Sequence, residues 1–283
     1  MELSNTPQVK QFIAQAIAED LGQGDVTTEA LISKTQQGRA SIVVKARGIL
    51  AGVEVAKQVF LKVDPELKLA ILIEDGAEVK PGDIVAKIEG RVASTLKAER
   101  IALNFLQRLS GIASETGHYV QAVKGLPVQI TDTRKTTPGL RTLEKYAVRV
   151  GGGKNHRMHL GDGILIKDNH LAALCHQGLS IKEIVTKARQ KASPKLKIEV
   201  EVKTPQEAVE AAEAGADIIM LDNIGLEDMR QAVQLIRGRA LIEASGGITL
   251  DRVRAVAETG VDLISIGALT HSAKALDISL ELD

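Results

Sequence analysis

Residues 197–223 read KIEVEVKTPQEAVEAAEAGADIIMLDN, and this stretch decides the fold class. Its first seven residues alternate, so Lys197, Glu199, Glu201 and Lys203 share one face of a strand and Ile198, Val200 and Val202 the other. Thr204-Pro205-Gln206-Glu207 then starts a helix, with a capping hydroxyl, Pro at the first helical position and Glu three residues past the cap. Gly215 ends that helix, and Asp217 to Leu221 forms the next strand. Strand, helix and strand in so short a span predict a βα unit of a parallel sheet.

The same pattern extends in both directions. Further strands are expected at Val128 to Thr131, Gly163 to Ile166, Leu241 to Ala244 and Leu263 to Ile266, with a capping box at Ser180 and Glu183 marking another helix. Ala212-Glu213-Ala214-Gly215-Ala216-Asp217-Ile218-Ile219 is echoed by Ala257-Glu258-Thr259-Gly260-Val261-Asp262-Leu263-Ile264, which supports repeating units. Six strands are two short of a full barrel, so residues 116–272 are read as an α/β domain whose βα barrel is open or borrows an element. Residues 1–115 read as mixed α and β: an extended run Arg39 to Ala46, a helix near Val53 to Leu61, a strand pattern at Leu67 to Ile73 and a long connecting helix Ala93 to Ala113 carrying Arg100. Glu74 to Val85 is expected to be two short strands joined at Pro81-Gly82, and residues 273–283 to pack back on the N-terminal domain.

Composition narrows the function. With 36 basic and 36 acidic residues the net charge is +0, so there is no whole-protein field for nucleic acid or an anionic membrane. Aromatics make up 2%, too few for base-stacking platforms. The single Cys175 allows no internal disulfide, and no apolar run reaches membrane-spanning length; a cytoplasmic enzyme is expected.

Chemistry in a βα barrel sits where its strands end. Here those ends carry Thr133-Arg134-Lys135, Lys167-Asp168-Asn169-His170, Asp222-Asn223, Ser245-Gly246-Gly247 and Gly267-Ala268. Val200 and Val202 must face the helix layer, so Glu199 and Glu201 point into the barrel and need partners there: Lys167, Glu243, a metal or a substrate. The paired glycine turns, the first followed by a helix near Thr249, suit a phosphate cradle of backbone N–H groups. Arg134 and Lys135 are placed to meet carboxylate and phosphate, while Arg141, Lys145 and Arg149 on the helix Gly139 to Val150 are expected in solvent. His156 and His159 lack a third metal ligand at suitable spacing, and Gly151-Gly152-Gly153-Lys154 lacks the pattern of a P-loop.

These strings, with Gly152-Gly153-Lys154-Asn155-His156-Arg157, Glu199-Val200-Glu201, Glu243-Ala244-Ser245-Gly246-Gly247 and Ala98-Glu99-Arg100, resemble quinolinate phosphoribosyltransferases over essentially the whole chain. The resemblance implies an N-terminal α/β sandwich, an open barrel, and phosphoribosyl transfer from phosphoribosyl pyrophosphate to quinolinate with decarboxylation and Mg²⁺. It implies a homodimer with shared active sites, or a higher oligomer. Arg134, His156, Arg157 and Lys167 would hold the quinolinate carboxylates, with Arg100 from the partner subunit. Lys135 would meet pyrophosphate, Glu201 and Asp222 the ribose and Mg²⁺, and the amides around Ser245, Gly246, Gly247 and Gly267 the 5-phosphate; Thr133 and Ala268 complete the substrate contacts. Lys135, Lys167, Glu201 and Asp222 are the expected catalytic set. A related transferase for another heteroaromatic acid, a sugar-phosphate aldolase or epimerase, and a carrier module are the competing readings.

Overall fold

A computed structural model describes residues 6–236 and 238–283. The chain forms two compact units: one reaches to Gly117 and adds Thr137–Gly152 and Leu269–Asp283, and the other comprises His118–Thr136 and Gly153–Ala268. Residues 137–152 thus lie with the first unit, between two stretches of the second.

The first unit opens with α1 (Pro7–Leu21) and α2 (Val26–Leu31), the latter capped by Asp25, whose Oδ1 accepts from Thr28 N at 2.9 Å. There follow β1 (Gln37–Val44), β2 (Gly48–Ile49), α3 (Val53–Val63), β3 (Lys68–Ile71), β4 (Glu78–Val79), β5 (Ile84–Arg91) and α4 (Val92–Ala122), whose last residues pass into the second unit. β1 pairs antiparallel with β5, and β5 with β3. The expected hairpin at Pro81-Gly82 is corrected: the turn forms, but β4 pairs with β2 while β5 pairs with β1 and β3. Gly82, at φ 91, donates to Val44 O and Asp83 O accepts from Val44 N, both at 2.9 Å, so the turn hands the chain from one sheet to the next.

The helix α4 runs beyond the expected Ala113. Ser114 and Thr116 interrupt its apolar spacing but return their hydroxyls to Ser110 O and Ile112 O at 2.7 and 2.8 Å, which keeps the backbone helical. The helix α5 (Arg141–Val150) corrects a second expectation, since Lys145 is fully buried rather than solvated. Beside it, buried Glu144 accepts from Arg108 Nη2 at 2.8 Å and from Thr137 Oγ1 at 2.8 Å.

In the second unit come β6 (Gln129–Thr131), β7 (Ile164–Ile166), α6 (Asp168–Cys175), α7 (Ile181–Lys191), β8 (Ile198–Val202), α8 (Pro205–Glu213), β9 (Ile218–Asp222), α9 (Leu226–Ile236), β10 (Leu241–Ser245), α10 (Val253–Ala257) and β11 (Leu263–Ser265), and α11 (Ala268–His271) passes from it into the first unit. All sheet pairings are parallel, in the order β6-β11-β10-β9-β8-β7. β6 and β7 stand at the two ends of that order, which makes this an open βα barrel of six strands. Val200 and Val202 are buried, as are Ala208 and Ala211 of the adjacent α8, in keeping with the alternation of the sequence. Ile278–Leu282 forms β12, which pairs with β1 in the first unit.

The sequence echo has a structural meaning. Gly215 and Gly260, at φ 86 and 92, end their helices, and Asp217 and Asp262 accept from an N–H near the start of the preceding strand, Ile198 at 2.7 Å and Ile242 at 2.8 Å. The helix expected near Thr249 instead begins at Val253; Arg252 N and Val253 N both donate to Thr249 O, at 3.0 and 2.9 Å, so the entry is a mixed 3-10 and α turn.

Candidate active site

The site begins at the end of β6. Lys154 N donates to Ile130 O at 2.8 Å and Asp132 N to Lys154 O at 3.2 Å, which lays residue 154 along that strand as a parallel bridge. Asp132 is fully buried and accepts from His156 N at 2.9 Å and Asn155 Nδ2 at 2.5 Å. These bonds aim His156 and Arg157 into the barrel unit.

His156 Nε2 lies 3.1 Å from Glu199 Oε2 and 3.6 Å from Glu243 Oε2. Burial by itself lowers the imidazole's proton affinity, but the two buried carboxylates outweigh it and raise the pKa to about 10. Burial pushes Glu199 up, against the hydrogen bond from His156. The inward charged row is thus resolved differently from expectation: Glu199 finds His156 rather than Lys167, and Lys197 and Lys203 are exposed. His159 lies apart, exposed, with Nδ1 2.9 Å from Asp162 Oδ1.

Arg157 donates from Nη1 to Gly163 O at 3.1 Å, while its Nε is buried with no acceptor among the described residues. Burial, and next the charge of Arg134, lower its pKa, so two guanidinium groups crowd one region that an anion would relieve. A cavity of about 530 Å³ is lined here by Lys154, His156, Arg157, Lys197, Glu199 and Glu243, among others. Arg134 sits in a tight turn, with Thr136 N bonded to Arg134 O at 2.9 Å and exposed Lys135 N to half-buried Thr133 Oγ1 at 3.0 Å.

Carboxylates gather at the ends of the central strands. Glu201 is half-buried, and burial first, then the charges of Asp222 and Asp168, raise its pKa, against the pull of Lys167 and Lys203. Lys167 itself is exposed, its N–H directed to His170 Nδ1 at 2.9 Å. Asp222 stands opposite Ser245 in register and accepts from Asn223 Nδ2 at 3.1 Å. Asn223 adopts φ 55, and its N donates to Ser245 O at 3.0 Å. Gly246 and Gly247 have φ 89 and 59, and a Cβ on Gly246 would lie 2.5 Å from the Asn223 side chain, so this turn needs glycine. Gly267 and Ala268 follow β11, whose next residue, Ile266, donates to Thr131 O at 3.0 Å.

Of the expected site residues, Thr133, Arg134, Lys135, Lys167, Glu201, Asp222, Ser245, Gly246, Gly247, Gly267 and Ala268 belong to the barrel unit, at or beyond strand ends, and His156 and Arg157 belong to the same unit on the segment that leads into β7. Arg100 is exposed on α4, in the first unit. The sequence reading missed Asp132 as the anchor of residues 155 and 156; an acidic residue directly after the apolar run of β6 was the available signal. No helix among the described residues is long and apolar enough to cross a membrane.

Comparison with known proteins identifies the family. Residues 25–110 match the quinolinate phosphoribosyl transferase N-terminal domain and residues 112–281 the C-terminal domain. A probable nicotinate-nucleotide pyrophosphorylase (carboxylating) of Bacillus subtilis is 45% identical over 278 residues, covering 98% of this chain and 94% of the relative. A mitochondrial quinolinate phosphoribosyltransferase (decarboxylating) of Nicotiana glauca is 42% identical over 98% of this chain and 83% of its own length. The crystal structure of NadC from Streptococcus pyogenes superposes with a TM-score of 0.94 at 45% identity, covering 98% of both chains. With both domain types matched in order and the strand-end motifs in place, the chain belongs to the quinolinate phosphoribosyltransferase family.

Proposed function

We propose that the barrel transfers the phosphoribosyl group of phosphoribosyl pyrophosphate to quinolinate with loss of CO₂, giving nicotinate mononucleotide and pyrophosphate in de novo NAD biosynthesis. The observation that carries this is the pair of charge groups within the barrel unit: cationic His156 with Arg157 and its neighbour Arg134, and the carboxylates Glu201, Asp222 and Asp168 at strand ends. A planar dicarboxylate suits the first group, and a sugar that becomes cationic suits the second.

In this reading Arg134, His156, Arg157 and Lys167 bind the carboxylates, and Arg100 of a second subunit completes the berth of a homodimer. Lys135 offers a compact positive charge to the departing pyrophosphate. The N–H groups of Ser245 to Gly247 and of Gly267 and Ala268 take the 5-phosphate, with Thr133 at the rim. As the glycosidic C–O bond lengthens, positive charge grows on the sugar, and Glu201 and Asp222 stabilise it. The ring nitrogen of quinolinate then bonds to that carbon. Its new positive charge stabilises the carbanion left by CO₂, which takes up a proton, so the protein mainly orients and needs no tuned base.

Carboxylate crowding around Glu201 fits a hard cation with oxygen ligands, and Glu201 and Asp222 would hold Mg²⁺, which when bound screens the pyrophosphate charge. A cytosolic setting accords with the lone Cys175. Purified protein incubated with quinolinate, phosphoribosyl pyrophosphate and Mg²⁺ should form nicotinate mononucleotide and CO₂ in equal amounts. Turnover of nicotinate but not quinolinate would assign it to another heteroaromatic acid, and no product from either would remove the proposal.

A further inference from the structure

His156 is an ordinary titratable group in an unusual enclosure. Free imidazole loses its proton near pH 6.5, so an unassisted histidine is mostly neutral at cytosolic pH and a weak partner for a carboxylate. Here Nε2 faces two carboxylates from different strands, Glu199 on β8 at 3.1 Å and Glu243 on β10 at 3.6 Å. A bare nitrogen lone pair in that position would be repelled by both, so Nε2 must carry a hydrogen.

Glu243 is the more telling of the two. It is fully buried, and neither of its oxygens accepts a hydrogen bond among the described residues. A carboxylate so placed costs several kcal/mol unless a charge answers it, and the cation within ion-pair distance is His156. The proposed function assigns no substrate contact to Glu199 or Glu243, yet both are buried on inward positions that a barrel usually fills with apolar side chains.

We propose that Glu199 and Glu243 are positioning residues that clamp His156 as a fixed imidazolium, so that the quinolinate berth keeps a permanent positive charge on a short, rigid side chain. This rests on the proposed function for its ligand, but the clamp itself does not. The backbone side of the same device is Asp132, which fixes His156 N at 2.9 Å, so the ring is held from both ends. Other charged groups facing the enclosure are Arg157 and Lys154 from the same segment, Arg134 beyond β6, Asp162 before β7, and Lys195 and Lys197 before β8. Arg157 and the lysines oppose protonation, which is why two carboxylates rather than one are required to hold it.

The test is a pH titration of the intact protein labelled in its six histidines, with His156 assigned by loss of its signal in His156→Asn. Wild-type His156 should remain an imidazolium from pH 6 to 9. In Glu243→Gln its midpoint should fall by at least about one pH unit, and in Glu199→Gln with Glu243→Gln it should fall to the ordinary value or below. Glu243→Asp should restore most of the shift. In steady state, Glu243→Gln should leave the KM for phosphoribosyl pyrophosphate unchanged, while that for quinolinate should rise as the pH climbs through the lowered His156 midpoint, reaching about tenfold one pH unit above it, and return to the wild-type value more than a unit below it.

A wild-type His156 that titrates below pH 7.5 would overturn the clamp without any variant being needed. Stoichiometric metal in the purified protein, lost in Glu243→Gln, would overturn it too, because a bound metal ion would replace the proton. If the titrations behave as stated while quinolinate does not bind, the clamp stands and the proposed function fails; the reverse result isolates the fault in the clamp.

Discussion

Replacing Gly246 by alanine tests the turn that follows β10. At φ 89 an L-residue is strained by about 1–2 kcal/mol. The new Cβ would also fall 2.5 Å from Cγ and Oδ1 of Asn223, which must swing away and give up its hydrogen bond to Asp222 Oδ2. An exposed hydrogen bond contributes about 0.5–1.5 kcal/mol, so Gly246→Ala should lose roughly 1.5–3.5 kcal/mol in all. Gly215→Ala is the matched control: φ is 86, but nothing lies within 4 Å of its Cβ, so it should lose only the backbone part. Urea denaturation of the two variants gives the difference, and initial rates give the consequence, a KM for phosphoribosyl pyrophosphate raised about tenfold or more in Gly246→Ala alone. Equal stability losses with an unchanged KM would show that the turn neither holds Asn223 in place nor meets the phosphate.

Arg134→Ala should weaken quinolinate binding by about 2 kcal/mol, roughly thirtyfold in Kd by calorimetry, and an unchanged Kd would remove Arg134 from the berth. If Arg100 acts across subunits, mixing Arg100→Ala with Arg134→Ala protein should restore part of the activity lost by each; none returning after verified exchange would place the site within one chain. Arg108→Met strands the buried Glu144 and should cost about 3–5 kcal/mol in a urea melt, a loss under about 1 kcal/mol refuting the pairing. Arg91, bonded to Asp64 at 2.7 and 2.8 Å, holds that buried carboxyl far below its ordinary range. The stabilisation is therefore complete above about pH 4 and fades as acid protonates Asp64, so Asp64→Asn should flatten the acid limb of the stability profile, and a parallel limb would exclude the pair as its source.

The parallel sheet was legible because strand periodicity is local: each of its six strands lies within one or two residues of the position read from alternation and flanking helix signals. Turn chemistry was legible too, yet Pro81-Gly82 shows its limit, since a turn sets a change of direction while strand partners depend on the rest of the sheet. Lys145 misled because charge marks a solvated face only when that face is left uncovered, and α5 is buried around Leu143, Glu144, Lys145 and Val148. At the site, spacing found the strand-end residues but not the enclosure of His156. Its partners come from β8 and β10, and a search for neighbours in sequence cannot see groups that only the closing of the sheet brings together.

The parallel bridge at Lys154 has one more implication. β6 ends the sheet, and an end strand offers its amides and carbonyls to any extended chain that drifts against it. The segment that carries His156 and Arg157 lies along part of that margin and takes up Ile130 O and Asp132 N. Covering that margin and carrying His156 are thus tasks of one stretch of backbone, and damage that frees it should bare the strand edge as well as displace the imidazole.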